Sequence, residues 1–94
     1  MFVLHVEMEI KPGLQHALEK TYVETFRPAI SRQEGFSAMN LLRPSEDGDY
    51  RLSIAFDSQP LQQKWVATDV HQQVWPLMEN HCSAYSVRYY NTVE

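Results

Sequence analysis

A strict two-residue alternation at the start of the chain constrains the fold more than any other feature of the sequence. Over residues 2–10, apolar side chains occupy every even position: Phe2, Leu4, Val6, Met8 and Ile10. The odd positions are more polar and include His5, Glu7 and Glu9. Because successive side chains of a strand point to opposite faces of a sheet, this pattern predicts a strand with one apolar face.

The following segment changes to the spacing of a helix. From residue 14 to residue 30, apolar residues recur every four positions: Leu14, Leu18, Tyr22, Phe26 and Ile30. Pro28 lacks a backbone N–H and crowds the preceding turn, so we predict a kink or a restart of the helix near Phe26-Arg27. We expect the helix to end at Glu34-Gly35, because glycine is favoured directly after a helix.

The remaining elements follow from turn and cap residues. Residues 36–43 and 50–56 flank a polar turn around Asp47-Gly48, which predicts an antiparallel hairpin. A helix is predicted to start at residues 57–60, and Thr68-Asp69 predicts the start of a second helical piece. We expect Pro76 to interrupt that piece. Residues 84–93, rich in tyrosine and valine, predict the last strand.

The resulting order, β-α-β-β-α-β, is that of a ferredoxin-like α+β fold with a four-stranded antiparallel sheet. The chain has 94 residues, which is the size of one domain. Two helical regions can cover only one face of such a sheet. We therefore expect a second copy of the chain to cover the other face, giving a homodimer.

Charge and composition exclude several other partners. The formal net charge is −4 and no basic run occurs, so we expect no nucleic-acid binding. No segment has the ~20 apolar residues of a membrane span, and residues 1–7 lack the basic start of a signal peptide. The single cysteine, Cys82, cannot form an internal disulfide. We expect a cytoplasmic protein without a membrane partner.

Short motifs follow one another in a fixed order along nearly the whole chain. They are Lys11-Pro12-Gly13, Glu34-Gly35-Phe36, Leu42-Arg43-Pro44, Phe56-Asp57-Ser58, Trp65 and Thr68-Asp69-Val70-His71. In this order and spacing they resemble the antibiotic biosynthesis monooxygenase (ABM) family, which implies the dimeric α+β barrel. The family contains cofactor-free oxygenases of polycyclic phenols, haem-degrading enzymes, enzymes of quorum-signal sugars, and members without known activity.

The resemblance to haem-degrading relatives can be tested residue by residue. Those proteins have an asparagine on the first strand where this chain has Val6. They bind iron through a histidine ten residues after a helix tryptophan; here that position is Trp75, and the tryptophan itself is matched by Trp65. Haem degradation is therefore disfavoured. Because His5 and its strand neighbours are also too loosely spaced for a metal site, we expect neither a metal nor another cofactor.

The resemblance also implies candidate catalytic residues. His71 matches a Ser/Thr-x-x-His motif whose histidine faces the cleft between sheet and helices, and an imidazole can take a proton from an acidic phenol or enol. Trp65 could donate its N–H to a developing oxyanion, and Asn40 could orient a carbonyl. Simpler interpretations remain open for all three. His71 could be an ordinary residue at a helix start, and Trp65 could be a core tryptophan. Asn40, which simple alternation places on the same strand face as Phe36, could be an exposed amide.

Candidate substrate-binding walls come from the helices. Trp75 and Met78 share one helix face with His71. Tyr22 and Phe26 lie on the apolar stripe of the first helix, where residues are more often part of the core.

We expect a homodimeric, cofactor-independent monooxygenase that uses O₂ on a planar aromatic or quinol-type small molecule. A non-catalytic ligand-binding or structural dimer is the alternative, with Trp75 and Pro76 plugging the cleft. A further alternative is an isomerase of a small signal sugar, which would need more polar residues in the cleft.

Overall fold

The computed structural model describes residues 1–94 and contains one four-stranded sheet with helices on one face. The strands are β1 (Phe2–Ile10), β2 (Phe36–Leu42), β3 (Tyr50–Phe56) and β4 (Cys82–Asn91). The helices are α1 (Gln15–Thr21), α2 (Arg27–Ile30), α3 (Gln59–Val66) and α4 (Asp69–Glu79), with a π-helical turn (Tyr22–Phe26) between α1 and α2. The strand order is β2-β3-β1-β4 with antiparallel pairs throughout. The predicted ferredoxin-like α+β fold is confirmed.

The core lies between the sheet and the helices. The even positions of β1 pair with apolar residues of β3, so that Leu4 lies beside Ile54 and Val6 beside Leu52. The most deeply buried side chains come from both layers: Met8, Leu18, Phe26, Ile30, Leu52, Phe56 and Met78. The alternation of β1 therefore sets which face of the sheet receives the helices. No helix is long and apolar enough to cross a membrane.

The first helix changes its geometry at the predicted place. The N–H of Arg27 donates to the carbonyl of Tyr22, five residues earlier, which is the spacing of a π-helix. Pro28 has no N–H to donate, so regular hydrogen bonding cannot continue through this turn. The wider turn keeps both Tyr22 and Phe26 buried.

Helix α4 corrects one prediction. It runs without a break from Asp69 to Glu79, so the expectation that Pro76 interrupts it is wrong. Val74 and Met78, on either side of the proline, are buried in the core and hold both halves of the helix. Pro76 itself is exposed, and its carbonyl accepts the N–H of Asn80 at 2.9 Å.

A β-bulge near the start of β2 corrects a second prediction. Phe36 pairs with Phe56, but Ala38 already pairs with Ala55, so β2 has one extra residue at this point. The bulge reverses the alternation that the sequence alone predicts. Asn40 consequently does not share a face with Phe36 and instead lies on the helix-free face of the sheet.

The helix-free face is polar along its middle. Arg51 forms an ion pair with Glu7 on the neighbouring strand. His5 lies between β3 and β4, and its ring is 5.0 Å from that of Tyr90. Arg88, opposite His5, makes no ion pair within the chain.

Candidate active site

A cavity of about 190 Å³ lies between the sheet and helices α3 and α4, and is named here the His71 cavity. Its floor is apolar and comes from β1 and β3: Leu4, Val6, Ile54 and Phe56. Its walls are aromatic: Phe26, Trp65, Trp75, Tyr85 and Tyr89. An apolar cavity with few polar groups is the usual form of a small-molecule site.

The aromatic walls support one another by edge-to-face contacts. The ring of Phe26 lies 6.3 Å from Trp65 and 6.1 Å from Trp75, with interplanar angles of 71° and 64°. The rings of Trp75 and Tyr85 are 5.3 Å apart at 78°. This geometry is favourable for aromatic pairs, so these contacts stabilise the positions of the cavity walls.

Glu79 holds two of these walls from outside the cavity. Its Oε1 atom accepts the indole N–H of Trp75 at 3.1 Å and the phenol O–H of Tyr85 at 2.9 Å. The hydrogen bond to Glu79 raises the pKa of Tyr85 above its ordinary value. Because both polar groups are engaged with Glu79, these two side chains offer the cavity mainly their apolar surfaces.

His71 is the one ionisable nitrogen base in the cavity wall. Its Nδ1 atom is buried and has no hydrogen-bond partner, and no hydrogen bond to either ring nitrogen occurs within the chain. Burial lowers the pKa of the imidazole below its ordinary 6.5. The ring is therefore neutral at neutral pH and has a free lone pair with which to accept a proton.

Thr68 fixes the positions of His71 and Trp65 together. Its hydroxyl oxygen accepts the backbone N–H of His71 at 3.1 Å, which caps the start of α4. The same hydroxyl donates to the backbone carbonyl of Trp65 at 2.7 Å. The rings of Trp65 and His71 consequently meet edge to face, with centroids 5.1 Å apart.

Among the lining residues that the sequence did not single out, three carry polar groups. Gln62 is only 6% exposed, and its amide makes no hydrogen bond within the chain. Tyr85 and Tyr89 line the open side from β4. Gln62 precedes Trp65 by three residues on α3, so helical spacing alone could have placed it beside the cavity.

The structure brings some of the predicted site residues together and separates others. His71, Trp65, Phe26 and Trp75 all line the His71 cavity, and Trp75 forms a wall without filling the space. Tyr22 and Met78 are buried in the core and do not line it. Asn40 is on the opposite side of the sheet, so it cannot orient a substrate in the His71 cavity.

A second cavity of about 350 Å³ lies beside Glu19, at the other end of the helical layer, and is named here the Glu19 cavity. The Glu19 carboxylate accepts hydrogen bonds from Arg43 Nε at 2.8 Å and from the buried Tyr50 hydroxyl at 2.5 Å. The hydrogen bonds from Arg43 and then Tyr50 lower the pKa of Glu19 to about 2. The polar groups in this cavity are thus paired with one another.

No group of three or more His, Cys, Asp or Glu side chains comes together in a way that could hold a metal ion. The two positions that differ from haem-degrading relatives, Val6 and Trp75, both line the His71 cavity. Neither side chain has an atom that ligates iron. The residues of haem-degrading relatives are therefore absent from the two matching positions, and the imidazole in this cavity wall belongs to His71 instead.

Comparison with known proteins identifies a family. The model of the antibiotic biosynthesis monooxygenase family matches residues 1–75. No curated protein matches the chain.

Similar solved structures cover nearly the whole chain at low identity. SnoaB, a cofactor-independent oxygenase from Streptomyces nogalater, was solved as a mutant; it has a TM-score of 0.85 at 14% identity, covering 99% of this chain and 93% of that one. A candidate antibiotic biosynthesis monooxygenase from Caulobacter crescentus CB15 has a TM-score of 0.84 at 18% identity, covering 99% and 90%. A conserved protein from Methanosarcina mazei Go1 has a TM-score of 0.84 at 10% identity, covering 98% and 92%. At these identities the likeness shows the fold alone.

Proposed function

The chain belongs to the antibiotic biosynthesis monooxygenase family, and from this premise we propose that it is a cofactor-independent monooxygenase of a planar aromatic or quinol-type small molecule. One observation carries the proposal: a neutral imidazole without a hydrogen-bond partner lies in the wall of an aromatic cavity. Apolar aromatic walls favour a planar ring, and the imidazole supplies the base that such a substrate needs.

The reaction begins with a proton transfer to His71. The substrate loses a proton from an acidic C–H or O–H group to the imidazole, and the aromatic ring system spreads the resulting negative charge. The apolar walls reduce the contact of the anion with water. The Trp65 ring lies beside the His71 ring, with centroids 5.1 Å apart, and its indole N–H is the proposed donor to the developing oxyanion.

The anion then reduces O₂ directly. It gives one electron to O₂, forming a substrate radical and superoxide, which combine through a new C–O bond. The histidine returns its proton to the peroxide, and loss of water breaks the O–O bond and leaves a carbonyl group. A CH₂ carbon and one O₂ thus become C=O and one H₂O, so no other reductant is needed.

The competing functions make different demands on the cavity. A purely structural protein would fill it, whereas here Trp75 leaves it open. An isomerase of a sugar would need several polar groups, and the thirteen lining residues include eleven hydrophobic ones. A non-catalytic ligand-binding protein would bind the same ring without consuming O₂. Measurement of O₂ consumption therefore distinguishes it from an oxygenase.

Oxygen dependence tests the proposal. The protein is incubated with a dihydroxyanthrone in air and under nitrogen, and formation of the anthraquinone is followed by absorbance against a protein-free control. We expect protein-dependent product only in air, with one O₂ consumed for each molecule oxidised. Equal product with and without O₂, or binding without any acceleration over the protein-free control, would rule out the oxygenase.

We infer that the functional unit is a homodimer formed through the helix-free face. That face exposes Leu42 and Tyr90 at 50% and 44%, and the helices leave it uncovered. A second copy is the simplest cover for such a face in a fold of this class. Sedimentation across micromolar dilutions should give a dimer; a well-folded single protomer throughout would contradict the inference.

A further inference from the structure

A third chamber adjoins the His71 cavity and is named here the glutamine chamber. It has a volume of about 380 Å³ and is lined by Phe2, Gln59, Gln62, Gln63, Val66 and Tyr89. Three of these residues, Gln62, Val66 and Tyr89, also line the His71 cavity. The two spaces are therefore neighbours that share three lining residues.

Helix α3 places the three glutamines on one face. Gln59, Gln62, Gln63 and Val66 occupy positions i, i+3, i+4 and i+7, which lie together on a helix surface. The Ser58 hydroxyl accepts the N–H of Leu61 and caps the start of this helix. The chamber thus follows from the local sequence of α3.

The amides of the glutamines are free to bind a ligand. None of the three makes a side-chain hydrogen bond within the chain. Gln59 and Gln63 are exposed, and the amide atoms of Gln62 remain accessible although the residue as a whole is only 6% exposed. Each amide can donate two hydrogen bonds and accept others, so the chamber can pair with hydroxyl, carbonyl or amide groups.

Neither chamber offers a counter-ion to a charged ligand. No Lys, Arg, Asp or Glu lines the His71 cavity or the glutamine chamber. By contrast, Glu19 and Arg43 line the Glu19 cavity. A carboxylate moved from water into the glutamine chamber would lose hydration without gaining an ion pair, which is unfavourable.

The volume of the His71 cavity also indicates that a ligand occupies more than this space. The His71 cavity, at about 190 Å³, is smaller than the roughly 300–1,000 Å³ usual for ligand sites. We propose that the His71 cavity and the glutamine chamber form one two-part site, which takes a planar aromatic ring carrying a neutral, hydrogen-bonding substituent. This substrate class rests on the proposed function, because the ring occupies the cavity that contains His71.

Three probes that cannot react with O₂ test this inference: a dihydroxyanthraquinone, its carboxamide derivative and its carboxylate derivative. Dissociation constants are measured by titration calorimetry. One or two added hydrogen bonds should make the wild-type protein bind the carboxamide about tenfold more tightly than the parent compound. The carboxylate, which differs from the carboxamide mainly in charge, should bind no more tightly than the parent.

Variants test whether the glutamines cause the preference for the carboxamide. In the double variant Gln59→Ala/Gln63→Ala, both exposed in the free protein, the carboxamide preference should fall to within about twofold. Gln73→Ala, an exposed glutamine on α4 outside both chambers, is the matched control and should keep the full preference.

The outcomes separate this inference from the proposed function. Equal binding of parent and carboxamide, tighter binding of the carboxylate, or a preference that survives in the double variant would overturn the neutral-substituent class while leaving the aromatic site intact. Failure of all three compounds to bind would contradict the aromatic site itself, and the two-part site with it.

Discussion

Two cavities under one helical layer differ in whether their polar groups have partners. In the Glu19 cavity, the carboxylate accepts hydrogen bonds from Arg43 and Tyr50. In the His71 cavity, the buried Nδ1 atom of His71 has no partner within the chain. Paired groups contribute to folding, whereas unpaired buried groups lower stability and are retained where a ligand satisfies them. We therefore expect the Glu19 cavity to contribute to stability and the His71 cavity to carry the proposed chemistry.

The largest expected effect is on turnover in the His71 cavity. In His71→Gln, kcat/KM for a dihydroxyanthrone should fall about 100-fold to 10,000-fold, because the variant lacks the general base. The free energy of unfolding should change by less than about 1 kcal/mol, because the imidazole makes no hydrogen bond to lose. Steady-state kinetics and urea unfolding measure the two quantities.

His16→Gln, at an exposed position on α1, is the control for the loss of a histidine and should keep wild-type turnover. The assignment of the chemistry to this cavity would be contradicted if His71→Gln turned over at the wild-type rate, or if it lost activity only because it unfolds.

The next effect is on stability in the Glu19 cavity. Glu19→Leu should lower the free energy of unfolding by about 1–3 kcal/mol, because the buried Tyr50 hydroxyl loses its acceptor and Arg43 loses its ion pair. Turnover of the folded protein should not change. Glu46→Leu, in the exposed β2–β3 turn, is the matched control. Reduced turnover in the fully folded Glu19 variant would show that the two cavities are not separate in function.

The pH dependence should distinguish the two cavities within one protein. The base must be neutral, so kcat/KM should fall about tenfold per pH unit below the pKa of His71, which burial holds below 6.5. The pKa of Glu19 is lowered from 4.5 to about 2. The stability that Glu19 contributes is therefore present above pH 4.5 and is lost as the pH falls toward 2.

Activity should thus be lost in acid while circular dichroism still reports a folded protein. The interpretation would be contradicted if activity and structure were lost together, or if the residual activity of His71→Gln kept the same acid limb.

The smallest effect concerns the support of the cavity walls. Glu79→Ala removes the acceptor of both Trp75 and Tyr85, so KM should rise about twofold to tenfold with kcat nearly unchanged. Glu79→Gln keeps an acceptor oxygen and should restore most of the affinity. A loss that Glu79→Gln does not restore would mean that the charge of Glu79, rather than its hydrogen bonds, matters.

The strands and the distorted helix could be predicted because their causes are local. The alternation of β1 gave its bounds, and Pro28 gave the place where the first helix changes geometry. The prediction that Pro76 interrupts α4 was wrong, because the burial of Val74 and Met78 outweighs one missing hydrogen bond. β4 begins at Cys82 rather than residue 84, because a register irregularity at the end of β1 pairs Cys82 with Ile10.

The site was only partly predictable for similar reasons. The candidates His71 and Trp65, which both line the cavity, come from motifs carried by one short stretch of chain. Asn40 was misplaced because one extra residue in β2 reverses the alternation, and no feature of the sequence marks that bulge. Gln62 was missed because glutamines on a helix are typical of an exposed face. Its spacing from Trp65 could have placed it beside the cavity, but its burial depends on β1 and β4, which are distant in sequence.

The most direct test of the central claim uses the four histidines of the chain as reporters. Imidazole resonances of His5, His16, His71 and His81 are followed by NMR while a dihydroxyanthraquinone is added. We expect a saturable shift of the His71 resonances, with the other three unchanged. Unchanged His71 resonances during saturable binding, or an equal shift at His5 on the helix-free face, would contradict the assignment of the His71 cavity as the active site.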